Sequence, residues 1–96
     1  MELNSSTAAD FEKLVGQKFL LAEVENCELS LDRVEILTKH DQSPRAPFAL
    51  VFRGEHAESL SQGMFELSNE ETGALQIFLV PIGQSDGAFL YEAVFN

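Results

Sequence analysis

The chain has 96 residues, 45% hydrophobic and 23% charged, and its sixteen acids against six Lys and Arg give a formal net charge of −10. That length holds one domain with a modest core, burying roughly 60–65% of the unfolded surface, and the apolar content excludes a disordered chain. Residues 49–96 carry seven acids and Arg53 as their single base; such a surface repels phosphate backbones and anionic lipid heads, which argues against nucleic-acid and membrane partners.

Residues 1–10 contain no Lys or Arg and no apolar stretch of the kind found in a secretory signal. No apolar run approaches the ~20 residues that span a bilayer. The expectation is a cytoplasmic chain, or one exported without a classical signal peptide. Thr7 and Asp10 form an N-cap signal, a hydroxyl that can accept from free amides and an acid in the positive first turn. Phe11, Leu14 and Val15 follow at i, i+3 and i+4, and Gly16 suits the residue after a helix end. The pattern predicts a short helix over 8–15, packed on a sheet because it is too short to stand alone.

Strands are predicted at about 19–24, 27–38, 48–53, 64–68, 74–81 and 88–95, all within a single domain over 1–96. Glu25 and Asn26 mark a turn. Cys27, Leu29 and Leu31 alternate with polar residues, and the apolar phase then slips to Val34 and Ile36. A strand whose inward positions change parity needs an extra residue, so a β-bulge is expected near Asp32-Arg33. Lys39 to Pro47 reads as an exposed loop. Phe48 to Phe52 is apolar on both faces, as in a central strand covered on each side. Glu55 to Gln62 is a connection with room for one helical turn. Asn69–Gly73 and Ile82–Gly87 read as hairpin loops with Gly where hairpins need it, and Pro81 suits a strand end or edge. The inward rows are Phe65/Leu67, Leu75/Ile77/Leu79 and Phe89/Tyr91/Ala93/Phe95. Phe78, Val80, Leu90 and Val94 make the other face apolar too, which requires a covering helix, closure into a barrel, or another subunit.

The segments Pro47 to Gly54 (PFALVFRG), Gln62 to Leu67 (QGMFEL), Leu75 to Gly83 (LQIFLVPIG) and Tyr91 to Asn96 (YEAVFN), with Phe11 to Gly16 as an F-x-x-L-V-G opening, resemble a family of short bacterial domains of unknown function. Members of that family are often described beside phage tail-collar-like proteins. The resemblance implies a small domain over the whole chain and transfers no mechanism.

Residues with chemical potential are few. Cys27 and the histidines His40 and His56 could be written as a nucleophile and base. Cys27 shares the parity of Leu29 and Leu31, however, and a reactive thiol needs an electropositive setting that this chain lacks. Glu23 and Glu25 on one strand face, and Glu70, Glu71 and Asp86 in turns, form no calcium loop. A lone cysteine rules out an internal disulfide and a cysteine-rich metal site. No catalytic residue, metal or cofactor is therefore assigned. Arg53 stands out as the single base of the acidic half. It reads either as a partner contact or as a structural fork to Glu92 or Glu66. Phe89, Tyr91 and Phe95 form an aromatic row that is either core or, if the last strand is an edge, a site for strand addition.

These features predict a β-rich α+β fold: about six or seven antiparallel strands in a curved sheet or small barrel, with a short N-terminal helix. The leading functional expectation is a non-enzymatic interaction or assembly module, accessory to a larger and phage-tail-like bacterial protein. Its partner is a protein of basic character or a second copy of the chain, with Arg53, Phe89, Tyr91 and Phe95 as candidate contacts. A carrier of an apolar ligand in a cavity of the curved sheet is the alternative, and a small hydrolase comes last.

Overall fold

A computed structural model describes residues 6–37, 46–55 and 59–95. Most of the 39–47 loop, the centre of the 55–62 connection, and His40, Asp41 and His56 lie outside the described residues. The elements are α1 (Ala8–Glu12), β1 (Lys18–Leu21), β2 (Glu28–Ile36), β3 (Phe48–Gly54), β4 (Gly63–Asn69), β5 (Gly73–Ser85) and β6 (Ala88–Phe95). The six strands close into a barrel in the order β1-β2-β3-β6-β5-β4, and every pairing is antiparallel.

The alternation of apolar residues dictates which way each strand faces. Leu29 and Leu31 of β2, Leu50 and Phe52 of β3, Leu75, Ile77 and Leu79 of β5, and Tyr91 and Ala93 of β6 all point into one buried cluster. The expected bulge is present: β2 pairs Leu31 with Phe52 and then Arg33 with Val51, skipping Asp32. The skip brings Val34, opposite Leu50, onto the inner face. Both faces of β3 are buried, Ala49 and Val51 included, as expected of a central strand.

Aromatic rings fill the interior. Phe19 meets Phe52 edge to face at 5.8 Å, and Phe48 stacks on Phe95 at 5.0 Å. Phe11 comes down from α1 onto both of the latter rings, at 5.8 and 5.7 Å, and plugs that end of the barrel. Six strands enclose less room than the eight that suffice for a small ligand. The chain's own rings occupy part of that space.

Several boundaries differ from the sequence expectation. The helix stops at Glu12 rather than at 15. The Thr7 N–H donates to Asp10 Oδ2 at 2.9 Å, while Gly16 gives its N–H to Leu31 C=O at 2.8 Å instead of to the helix. Leu14 remains buried while Val15 turns outward, 44% exposed. The first strand ends at Leu21, since Asn26 takes a left-handed φ of 57° and Leu21 N–H bonds to Cys27 C=O. Glu23 and Glu25 thus lie in a turn and not on a strand face. β2 begins at Glu28 and is described as strand to Ile36.

The largest difference is in β5, which runs on to Ser85. Ile82–Gly87 is therefore not a loop. Gly83 (φ 149°) sits at a register shift between Pro81 and Gly83, where a proline's missing donor is tolerated. Asp86 and Gly87, at φ 50° and 80°, make the two-residue turn that an Asp-Gly pair favours. The other hairpin is as expected. Asn69 Oδ1 accepts from the N–H groups of Glu71 and Thr72 and from Thr72 Oγ1, and Gly73 closes it at φ 70°.

Phe11 is 1% exposed against two other rings, so Phe11→Ala should cost about 3–5 kcal/mol by urea denaturation. A loss below about 1 kcal/mol, the level of an ordinary surface change, would mean that the helix does not plug the barrel.

Candidate functional site

The register settles the aromatic row first. β6 pairs with β3 from Phe89 to Phe95 and with β5 from Ala88 to Glu92, so Phe89 and Tyr91 lie on a stretch paired on both sides, while Ala93–Phe95 is in register with β3 alone. Tyr91 is fully buried, and its hydroxyl accepts the Leu60 N–H at 2.8 Å. Phe95 stacks on Phe48, and Phe89 packs half-buried against the core. These three rings serve packing.

Arg53 is positioned by β3 at the end of the barrel beside the β5–β6 turn. Its guanidinium donates from both terminal nitrogens to turn carbonyls, Ser85 O and Asp86 O, each at 3.3 Å, and Glu55 Oε1 lies 3.9 Å from Nε. A structural fork is the right description, but the acceptors are backbone oxygens and Glu55 rather than Glu92 or Glu66. Glu92 sits opposite Val51 on the outer face. Glu66 is occupied elsewhere, its side chain accepting from Gln76 Nε2 at 3.1 Å.

The row Lys18–Ser30–Arg53, set by consecutive strand pairs, floors a polar groove of about 280 Å³ walled by Asn26, Glu28 and Glu55. Two cations against two carboxylates leave this groove without a strong sign of its own.

Cys27 is 3% exposed, and burial pushes its thiol pKa up. At neutral pH it is a protonated thiol packed in the core, the opposite of an activated nucleophile. Glu70 and Glu71 precede β5 and Asp86 follows it, so the 13-residue strand holds these acids apart. Among the described residues no three His, Cys, Asp or Glu side chains converge as a metal site would require.

The outward rows give the more distinctive surface. With Leu75, Ile77 and Leu79 inside, Gln76, Phe78 and Val80 must face out. Phe78 is 47% exposed and lies directly opposite Met64 of β4, itself 57% exposed. On β6, Val94 faces out at 52% exposure. Acids flank these residues: Glu66 next along β4, Glu92 opposite Val80, and Glu35 beside Ala49, the partner of Val94. The exposed character of Phe78 and Val94 was legible as a second apolar parity. Met64 carried the same signal, since Phe65 and Leu67 point inward.

Two measurements check these assignments. Arg53→Gln should cost about 1–2 kcal/mol and speed amide exchange at 85–88, because two turn carbonyls lose a charged donor; unchanged exchange there would discount the fork. For Cys27, the folded chain holds the thiol proton more tightly than the unfolded chain. The resulting stabilisation is complete below the ordinary thiol pKa and is lost as pH rises through the raised folded value. Stability measured in urea at increasing alkaline pH should therefore fall more steeply for the native chain than for Cys27→Ala.

Neither a curated protein nor a solved structure matches the chain. A family of domains of unknown function, DUF6916, matches residues 6–95, which include all six strands, the helix and every surface residue described above. The chain belongs to that family.

Proposed function

We propose that this chain is a non-enzymatic protein-docking module, accessory to a larger bacterial assembly of phage-tail-like character. One observation carries the reading: the outer face of β4 and β5 carries Met64 and Phe78 directly opposite one another, both exposed. Residues scattered singly over a surface need no partner, but a directly paired Met and Phe, each about half exposed, form the kind of apolar centre that interfaces bury. The carboxylates around it, together with the absence of Lys and Arg from 54 to 96, favour a basic partner and would accelerate its approach. Two copies of a chain with a net charge of −10 would repel one another, which disfavours self-association at low salt. The phage-tail-like setting rests on the resemblance described under Sequence analysis.

The test is a photo-crosslinking amino acid placed at Phe78, at Met64, or at Val15, which is apolar and 44% exposed on the helical side. The expected result is one adduct of defined mass from the first two positions and none from Val15. The same pattern at all three positions, or no adduct at any, would reject the reading. Light scattering across dilution should accompany it. A monomer at low salt is expected, and a stable homodimer there would replace the basic partner with a second copy.

A further inference from the structure

Among the described residues the β5 segment from Ala74 to Phe78 is in register with β4 alone, and we infer that its other side accepts an added β-strand from the partner, an extended segment alternating apolar and basic residues. The inference rests on the docking reading above and specifies how docking occurs.

The direction of the backbone groups follows from hydrogen bonds at β4. Glu66 N–H donates to both Glu23 carboxylate oxygens at 3.1 Å, and Glu66 C=O accepts from Ala22 N–H at 3.1 Å. Both backbone groups of Glu66 therefore face β1. In an antiparallel pair, a residue whose groups face away from its partner belongs to a narrow, non-hydrogen-bonded pair. Gln76, directly opposite Glu66, accordingly turns its own N–H and C=O away from β4. By the two-residue period of a strand, Ala74 and Phe78 do the same.

On that side the next strand is β6, yet its register with β5 begins at Val80↔Glu92. Beyond Glu92, β6 keeps to β3, pairing Ala93 with Leu50, Val94 with Ala49 and Phe95 with Phe48. Among the described residues no strand is in register with Ala74–Phe78 on this side. The side chains of Ala74, Gln76 and Phe78 are all exposed. Further along β5, from Val80 to Ser85, β6 occupies this side. Ala74–Phe78 contains neither a proline, a lysine nor a bulge.

Charge selects the occupant. Glu66 lies across from Gln76 and Glu70 and Glu71 sit in the adjoining turn, with no Lys or Arg in this half beyond Arg53. An incoming strand is favoured if it places apolar side chains beside Phe78 and basic ones toward these carboxylates. A second copy would bring like charge.

Amide exchange in the whole chain, followed by NMR, tests the edge directly. In the free protein the amides of Ala74, Gln76 and Phe78 should exchange about a hundredfold or more faster than those of Leu75, Ile77 and Leu79, which bond to β4. A synthetic peptide alternating Val and Lys, added to millimolar concentration, should protect those three amides. Its Val/Glu counterpart should not. Methylating alternate peptide nitrogens should weaken binding about tenfold or more, since at least two ladder hydrogen bonds go. Slow exchange in the free protein, or equal binding of the N-methylated peptide, overturns strand addition. If the Val/Lys peptide then still binds and Phe78→Ser abolishes that binding, docking stands without it. Protection by the peptide that is indifferent to both Phe78→Ser and Met64→Ser supports the edge and rejects the apolar pair. Protection that rises with protein concentration alone makes a second copy the occupant and overturns the basic partner.

Discussion

The barrel closes where β1 meets β4, and this seam is narrow. β1 is four residues long, and its register with β4 comprises Leu20↔Ser68 and Leu21↔Leu67. Two rungs alone would be a weak closure, and side chains extend it in both directions. At one end the Glu23 carboxylate takes the Glu66 N–H where the strand itself has turned away. At the other, Gln17 accepts from Asn69 Nδ2 at 3.1 Å and donates to Glu71 Oε1 at 3.0 Å. Asn69 is in turn the residue that organises the β4–β5 turn. The seam, the turn and the start of β1 are therefore one connected hydrogen-bond network.

Much of the remaining architecture depends on that closure. A closed sheet has one interior, and the rings of Phe11, Phe19, Phe48, Phe52 and Phe95 occupy it. The outer surface divides into a polar groove of balanced charge beside Arg53 and an apolar strip with acidic flanks on β4 and β5. The strip exists because β5 is long and shared. Its first half pairs with β4 and its second half with β6, so that neither neighbour covers all of it.

Arg53 shows how a conspicuous residue can be structural without the partner first expected of it. A lone cation in an acidic half suggests an ion pair, yet its terminal nitrogens bind carbonyl oxygens of a turn. Those oxygens come within reach only because β5 continues to Ser85 and returns through Asp86-Gly87. Reading Ile82–Gly87 as a loop hid both the strand and the acceptors of Arg53.

Periodicity in the chain was enough to specify the β-rich class, the six strands to within a few residues, the bulge after Leu31, the inward rows and the burial of Cys27. Each of these is a local consequence of alternating side chains or of turn chemistry. The helix length, the extent of β5, the pairing of β6 with β3 and the end of the β5–β6 register at Val80 were not legible. They depend on which strands lie side by side, and that was decided by barrel closure. Pairing partners far apart in the chain compete for the same backbone groups. Gly16, whose N–H leaves the helix for Leu31 C=O, and β6, which follows β3 rather than β5 beyond Glu92, are where that competition was resolved in three dimensions.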